Sequence, residues 1–178
     1  AGFEFVNKIV GGAIPGSLIP AVEKGVRQVL AAGAISGHPM QDIRVRLVDG
    51  KTHSVDSKEV AFVAAGRKAF QDAVLQANPI VLEPIVDLEV TIPTNSMGDI
   101  SGDLASRRAR INNTTANNDG TMSITAQVPL AEIEEYASSL KSMTGGEGSW
   151  SIQFSHYEPT LPKTQDELVR KVKTAAAN

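Results

Sequence analysis

The stretch NPIVLEPIVDLEVTI, residues 78–92, sets the architecture because it contains both a break in the chain and the start of a regular pattern. Asn78-Pro79 ends a helical sequence, and Pro84 follows closely. Proline has no backbone N–H and stops helices, so this pair favours a linker. From Ile85 to Ile92 apolar and polar residues alternate, which predicts a half-buried β-strand.

Downstream of the linker the predicted elements follow the order β-α-β-β-α-β. They are a strand over 85–92, a helix over 97–109, a short strand near 110–112, a strand over 121–128, a helix that begins at Pro129 and a strand over 149–155. The polar run 113–120, which ends in Asp119-Gly120, predicts a loop. This order is typical of a ferredoxin-like α/β sandwich.

Upstream of the linker the sequence predicts a smaller set of elements. Alternating residues predict strands over 2–10 and 40–48, and apolar residues at three- and four-residue steps predict a helix over 17–32. Asp49-Gly50 predicts a tight hairpin turn, with a short return strand over 51–55.

A long helix is predicted between the hairpin and the linker. Asp56 or Ser57 is the expected cap, and the helical sequence continues to about Gln76. We predict that its small apolar side chains pack closely on a sheet: Val60, Ala61, Ala64, Ala65, Ala69 and Val74. Residues 164–176 predict a final helix.

The charge is unevenly distributed, although the net charge of the chain is only −3. Residues 1–81 carry nine Lys/Arg and seven Asp/Glu, a net charge of +2, whereas residues 82–160 carry four and eleven, a net charge of −7. Residues 161–178 return to +2. The change of sign at the linker favours two units with different partners. No segment is basic enough to indicate a general nucleic-acid-binding domain.

Composition and motifs exclude several kinds of site. The absence of cysteine excludes a disulfide framework, a thiolate metal site and a cysteine nucleophile. The three histidines, His38, His53 and His156, are far apart and show no metal-ligand spacing. The sequence GGAIPG, residues 11–16, lacks the Gly-Lys-Ser/Thr end of a phosphate-binding loop. No apolar stretch approaches the ~20 residues that a membrane span needs.

Two groups of residues are candidates for contact with RNA. They are Gly50, Lys51, Thr52 and His53 at the predicted hairpin tip, and Arg107, Arg108 and Arg110 near the end of the helix over 97–109. Histidine and lysine at a loop tip can stack on a base or contact a phosphate. A structural interpretation stays open for both groups: an exposed turn histidine, and cations that interact with the negative end of a helix dipole.

Five segments, in one order along the chain, carry a family resemblance. They are GFEFVNKIVGGAIPGSLIPAVEKGV (2–26), DGKTHSVDSKEVAF (49–62), LEPIVDLEVTIP (82–93), MGDISGDLASRRARI (97–111) and VPLAEIEEYASSLKSMTGGEGSW (128–150), the last followed by FSHYE (154–158). Over almost its whole length the chain resembles the C-terminal part of elongation factor G, the translocation GTPase of the ribosome.

The resemblance implies an α+β fold of two domains. Residues 1–81 correspond to most of domain IV, an S5-like βαβ domain without its N-terminal start. Residues 82–160 correspond to domain V, the ferredoxin-like sandwich, and residues 161–178 to a helix that packs back on domain IV. In the family the domains that bind GTP lie upstream. We therefore expect a C-terminal fragment of elongation factor G or a close paralogue, which is not itself an enzyme. GTP and magnesium would bind to the parent protein, and this chain would hold no cofactor.

The resemblance also implies a partner, the ribosome, and a cytoplasmic location. In the family the tip of domain IV enters the decoding region and meets tRNA and mRNA in the A site, and domain V lies near the L11 stalk base and the sarcin–ricin loop. His53 matches the tip histidine of the family, beside Gly50, Lys51 and Thr52. The arginines 107, 108 and 110 are possible rRNA contacts of the second domain. We expect a monomer that binds no membrane.

The chain departs from the family pattern at three positions. Thr52 replaces an aromatic residue, Ala109 replaces the glycine of Arg-Arg-Gly, and Glu147 replaces a basic residue. These changes keep open a ribosome-recycling or ribosome-protection paralogue. A distant alternative is a small stand-alone phosphatase, which needs an arginine beside a cradle of backbone N–H groups. The acidic second unit disfavours that alternative.

Overall fold

The chain divides into two compact units, one formed by residues 1–81 with 161–178 and the other by residues 82–160. The structure is a computed structural model that describes residues 2–53 and 58–177. A parallel sheet belongs to the first unit and an antiparallel sheet to the second. The α+β fold class predicted from the sequence is confirmed.

A βαβ arrangement forms the centre of the first unit. Strands β1 (Phe3–Asn7) and β2 (Ile43–Leu47) pair in parallel, and helix α1 (Ile19–Ala32) connects them. Helix α2 (Glu59–Gln76) follows β2, and helix α5 (Pro162–Ala177) also belongs to this unit.

The core of the first unit lies between the sheet and helices α1 and α2. It contains Phe3, Phe5, Ile43 and Val45 from the strands and Val26, Val29, Leu30, Phe70 and Val74 from the helices. Two glycines let the helices approach closely. A Cβ atom added at Gly25 would lie 2.1 Å from the carbonyl oxygen of Val63, and one at Gly66 would lie 2.6 Å from that of Val22.

Helix α2 packs through a different face from the predicted one. Val60 is 77% exposed, and the alanines predicted to pack on the sheet are exposed as well: Ala61, Ala64, Ala65 and Ala69. Of the predicted set only Val74 is buried, and the helix buries it together with Phe62, Gly66 and Phe70, one residue in every four. Alanine favours a helix wherever it lies, whereas the two phenylalanines remove the most apolar area from water and so decide which face is buried.

Helix α5 begins at Pro162, slightly before the predicted start, and Gln165 connects it to the end of the first segment. The backbone N–H of Val81 donates to Oε1 of Gln165 at 2.9 Å. The Gln165 amide nitrogen donates to the carbonyl oxygen of Pro79 at 3.4 Å. These contacts tie the final helix to residues 79–81.

The second unit is a four-stranded antiparallel sheet in the order β4-β5-β3-β6, with two helices. Its elements are β3 (Leu82–Pro93), α3 (Met97–Ser106), β4 (Arg110–Ala116), β5 (Thr121–Pro129), α4 (Tyr136–Thr144) and β6 (Ser149–Pro159). The connectivity is that of the predicted ferredoxin-like sandwich.

The alternation in β3 decides which face of this sheet is buried. Leu88 and Val90 are 1% and 0% exposed, whereas Asp87, which precedes Leu88, and Glu89, which lies between the two, are exposed. Helices α3 and α4 cover the apolar face with Ile100, Leu104, Tyr136 and Leu140, all buried.

Several element boundaries in the second unit differ from the predicted ones. Strand β3 begins at Leu82 rather than Ile85, and β6 continues to Pro159. The helix predicted to begin at Pro129 is a 3₁₀ turn over Leu130–Ile133, followed by α4 from Tyr136.

Strand β4 continues to Ala116, into the polar run that predicted a loop, and it pairs with β5 although all its residues are exposed. Backbone pairing at a sheet edge does not depend on apolar side chains. Helix α3 ends at Ser106 rather than at Ala109, because Arg108 has a left-handed conformation, φ +60°.

Candidate nucleic-acid interface

The carboxyl ends of β1 and β2 place two loops at one edge of the two-stranded sheet, which we call the carboxyl edge. Parallel strands end at the same edge, so the loop after Asn7 and the loop after Leu47 are neighbours. The backbone N–H of Lys8 donates to the carbonyl oxygen of Leu47 at 2.8 Å, which continues the pairing into both loops. The predicted tip residues 50–53 lie in the second loop.

The predicted hairpin at Asp49-Gly50 is wrong for the residues that the structure describes. Residues 51–53 are not a strand, and residues 54 and 55 of the predicted return strand lie outside the described residues. The expected two-residue turn needs positive φ at its glycine, and Gly50 does not have one. A Cβ at Gly50 would lie 2.4 Å from Cδ1 of Ile14, so glycine permits close packing here.

Lys51, Thr52 and His53 are exposed at the carboxyl edge. Helix α2 then begins at Glu59, with Lys58 at the N-cap position and no side-chain capping bond. The predicted caps, Asp56 and Ser57, lie outside the described residues. The exposure of residues 51–53 is what contact with a partner requires, and RNA contact by them stays a prediction.

Arg107 connects α3 to the segment before α4. Its Nε donates to Oδ2 of Asp103 at 2.8 Å, and its Nη1 donates to the carbonyl oxygen of Glu132 at 2.7 Å. Its Nη2 donates to Oγ of Ser139 at 2.8 Å, and the guanidinium carbon lies 5.3 Å from the centre of the Tyr136 ring. The side chain is 18% exposed. These contacts give Arg107 a structural role in joining the two helices.

Arg108 forms a bidentate ion pair with Glu83 and a further one with Glu132. Both Nη atoms lie 2.9 Å from the Glu83 carboxylate oxygens, and Nε lies 2.8 Å from Oε1 of Glu132. Hydrogen bonding to Glu83, then to Glu132, raises the pKa of Arg108 above its ordinary value although burial opposes this. A left-handed conformation in a residue other than glycine costs about 1 kcal/mol or more, and these pairs offset that cost.

Arg110 is the most exposed of the three arginines, with 60% of its side chain accessible. It pairs with Glu158, which also lies 2.8 Å from Nε2 of His156. Nδ1 of His156 lies 3.1 Å from Oγ of Ser155. The hydrogen bond with His156, followed by that with Arg110, lowers the pKa of the Glu158 carboxyl.

All three arginines are therefore paired with carboxylates of their own unit. A phosphate that approached Arg107 or Arg108 would compete with carboxylates already held at short distance, because the guanidinium N–H groups involved are engaged. Contact of the three arginines with rRNA stays a prediction, and Arg110 is the residue best exposed to make one.

The remaining sequence features have structural roles. Gly145 ends α4 in the left-handed conformation, φ +62°, and Glu147 in the same loop is exposed. Trp150 packs edge-on against Tyr136, with 5.6 Å between the ring centres. Within residues 2–53 and 58–177 no group of acidic or histidine side chains is arranged to hold a metal ion. In the same ranges no helix has the length and apolar character of a membrane span.

Comparison with protein families identifies the chain by two adjoining matches. Residues 1–78 match domain IV of elongation factor G, and residues 80–168 match the elongation factor G C-terminus. The chain belongs to the elongation factor G family. The two matches meet at the linker that the prolines of residues 78–92 indicate, and together they confirm the resemblance seen in the sequence.

A solved structure has a fold similar to that of this chain. The chain is similar to a protein of Thermus thermophilus known from a crystal structure, with 34% sequence identity and a TM-score of 0.79. The match covers 96% of this chain and 26% of that one. This chain therefore spans about a quarter of that protein's length.

The sequence did not indicate which acidic residues pair with the arginines of the second unit of this elongation factor G chain. Glu83, Glu132 and Glu158 engage the arginines, yet they lie 24 to 48 residues from their partners along the chain. Lys8 was also missed as a neighbour of the tip loop. The strand–helix–strand order over residues 2–48 was a usable signal for Lys8, since it implies parallel strands that end at one edge.

Proposed function

We propose that this chain is the ribosome-binding portion of a translation elongation factor that promotes GTP-dependent translocation of tRNA and mRNA. The observation that carries the proposal is the pair of adjoining matches to domain IV and the C-terminus of elongation factor G. Together they cover most of the chain and keep the family's domain order. Membership of this family makes the chain part of an elongation-factor-like protein.

The proposed mechanism is mechanical, with the carboxyl edge as the working surface. Lys51, Thr52 and His53 are exposed there, on a loop that begins where β2 ends. We propose that this tip enters the A site in the decoding region as tRNA leaves, and so prevents return. The second unit would lie near the L11 stalk base and the sarcin–ricin loop, with Arg110 as its exposed cation.

GTP and magnesium belong, in this proposal, to a GTPase domain of the longer protein. The chain itself would act in the cytoplasm as a monomer and without catalysis. A phosphatase-like activity is disfavoured because Arg107 and Arg108, the arginines available to an anion cradle, are held by Asp103, Glu83 and Glu132.

A ribosome-recycling or ribosome-protection role is the second candidate, and two of the three departures from the family pattern support it. Thr52 and Glu147 are both exposed, so replacement of an aromatic and a basic residue there changes surfaces that a partner would meet. Ala109 has no positive φ, so its backbone conformation does not require glycine.

The test is substitution of the tip histidine in the full-length factor. We expect His53→Ala to slow single-round translocation about tenfold, equivalent to ~1.4 kcal/mol in the activation barrier, and to leave ribosome-stimulated GTP hydrolysis within about twofold. The tip acts on movement, whereas hydrolysis occurs in another domain. Lys68→Ala, an exposed change on α2, serves as the control.

Three results decide between the candidates. Slow translocation with normal hydrolysis supports the proposal. Unchanged translocation by the His53 variant contradicts a role for the tip. A wild-type factor that separates ribosomal subunits but does not translocate assigns the recycling role.

A further inference from the structure

Two loops at the carboxyl edge are held together by packing. The loop after β1 contains residues 8–14 and the tip loop contains residues 48–53. Ile14 is buried against Gly50, where a Cβ would lie 2.4 Å from its Cδ1, and Ile9 packs in the same cluster as Leu47 and Phe5. The two loops therefore form one continuous surface rather than two separate tips.

Large apolar side chains lie exposed on both loops. Val10 is 84% exposed and Val48 is 66% exposed. A single exposed valine needs no explanation. Here, however, one stands on each of two adjoining loops: Val48 directly follows β2, and Val10 lies three residues after the end of β1. Neither contributes to the core, so their methyl groups are accessible to a partner.

The charged groups of these loops favour an anionic partner. Lys8 and Lys51 are exposed, one on each loop. The acidic residue of the two loops is Asp49, and its Oδ1 accepts a hydrogen bond from the backbone N–H of Gly50 at 2.7 Å. The two loops thus carry two lysines against one carboxylate.

Two glycines shape the first loop. Gly11 and Gly12 have φ values of +69° and +70°, and a Cβ on either would meet no atom within 4 Å. The glycines are needed for the backbone conformation and not because neighbouring atoms crowd them. The space beside this stretch of backbone is open, which permits another chain to approach it closely.

We propose that residues 8–12 and 48–53 form a single RNA-binding edge. Lys8 and Lys51 contact phosphates, and Val10 and Val48 pack against the ribose and base faces of the same RNA strand. The inference depends on the proposed function, to which it adds a second loop and the kind of contact. Lysine contacts with phosphate release counterions and make binding dependent on salt, whereas the valines exclude water between the phosphate contacts.

The first experiment measures binding of the 178-residue chain to purified ribosomes over a series of salt concentrations. We expect Lys8→Ala and Lys51→Ala each to weaken binding about 3- to 10-fold. Each should also reduce the slope of log Kd against log salt by roughly one unit, as for a lost phosphate contact. Lys68→Ala removes the same charge from α2 and should change neither quantity. Circular dichroism checks that each variant folds.

The second experiment identifies the partner by photocrosslinking. A benzophenone amino acid replaces Val10 or Val48 and, as the matched control, Leu75, which is 49% exposed in the last turn of α2. An 18-residue helix is about 27 Å long, so Leu75 lies well away from the start of α2. Irradiation on ribosomes should give RNA adducts from positions 10 and 48 and few from position 75.

The outcomes separate this inference from the proposed function. If the wild-type chain binds no ribosomes, the proposed function fails and the RNA-binding edge fails with it. If Lys51→Ala weakens binding while Lys8→Ala does not, and position 10 gives no RNA adduct, the proposed function stands and the two-loop edge is wrong. Protein adducts from both positions 10 and 48 would overturn RNA as the partner.

Discussion

Basic side chains are placed differently in the two units. In the first unit, Lys8 and Lys51 lie exposed on loops at the carboxyl edge. In the second, Arg107 and Arg108 are held within the unit by carboxylates, and eleven acidic residues accompany four basic ones. A cluster of basic residues in a sequence therefore indicates an anion-binding site only where the fold does not pair those residues with carboxylates.

The two units also differ in how completely their core residues are buried. In the second unit Val90, Ile100 and Leu104 are completely buried, whereas the most buried apolar residue of the first, Val26, is 2% exposed. A four-stranded sheet covered by two helices encloses side chains more fully than two five-residue strands do. The first unit thus has exposed lysines on its loops and a less enclosed core, whereas the second unit has paired arginines and a more enclosed core. Each prediction below tests a part of this contrast.

The largest effect is expected from matched leucine truncations in the two cores. Leu104 is fully buried and Leu30 is 8% exposed. We expect Leu104→Ala to cost about 3–5 kcal/mol of unfolding free energy and Leu30→Ala about 2–3 kcal/mol, because a more enclosed site collapses less around the cavity. Urea unfolding followed by Trp150 fluorescence reports the second unit, and hydrogen exchange reports the first. Equal costs would remove the contrast between the cores.

Gly25→Ala tests the close contact between helices α1 and α2 in the first unit. The added Cβ would lie 2.1 Å from the carbonyl oxygen of Val63, so α1 and α2 must separate. We expect a loss of about 2–3 kcal/mol in unfolding free energy, measured by hydrogen exchange of the α1 amides. Gly102→Ala is the control in the second unit, where a Cβ in the middle of α3 meets nothing within 4 Å and alanine should stabilise the helix by roughly 0.5–1 kcal/mol. A neutral Gly25→Ala would contradict the close approach.

Arg107→Ala tests whether the second unit uses its arginines for structure. Removing the guanidinium leaves Asp103 and the Glu132 carbonyl without this donor, and we expect a loss of about 2–3 kcal/mol. Arg110→Ala, at a side chain that is 60% exposed, should change stability by less than about 1 kcal/mol. Urea unfolding followed by Trp150 fluorescence measures both. The reverse order of the two effects would mean that Arg107 is not structural.

Tyr136→Phe should give a smaller effect that depends on pH. The Tyr136 hydroxyl is buried with no hydrogen-bond partner among the described residues, and burial raises its pKa to about 12. Removing it should raise the unfolding free energy by about 1 kcal/mol at neutral pH. Because the folded pKa exceeds the unfolded value of about 10, wild-type stability is complete below pH 10 and falls as pH rises toward 12. The Phe variant should lose this alkaline dependence, and thermal melting at about pH 8 and about pH 11 compares the two proteins.

The smallest effect on stability is expected at the carboxyl edge. His53 is exposed, so His53→Ala should change the unfolding free energy by no more than about 0.5 kcal/mol. Differential scanning calorimetry of the chain measures this. A loss several times larger would give His53 a structural role and weaken its assignment to the tip.

The features that were predicted correctly from the sequence are those that local patterns control. The alternation of residues 85–92 indicated the buried face of β3, and the apolar spacing from residue 17 to residue 32 indicated α1. Both patterns involve only residues that are close in sequence. They are reliable because side chains alternate between the two faces of a strand and return to the same face of a helix every three or four residues. The order of elements then led to the ferredoxin-like sandwich.

The candidate site was predicted less fully, for a reason seen at Gly50. Asp-Gly is a common hairpin signal, but Gly50 has no positive φ, and a Cβ there would lie 2.4 Å from Cδ1 of Ile14, a residue 36 positions earlier in the sequence. The buried face of α2 likewise includes Gly66, where an added Cβ would lie 2.6 Å from the carbonyl oxygen of Val22 in α1. No local pattern in the tip loop or in α2 contains these partners.

Element order, the position of the linker and the family could all be inferred from the amino-acid sequence without coordinates. Which cations are engaged, which loops adjoin and which face α2 buries became known only from the folded chain. An element's period is set by bonds and sterics along the backbone, whereas the pairing of Arg108 with Glu83 depends on folding that brings residues 25 positions apart to 2.9 Å. The sequence shows only that both units contain basic residues. In the folded protein Arg108 is paired with carboxylates, whereas Lys8 and Lys51 at the carboxyl edge are exposed.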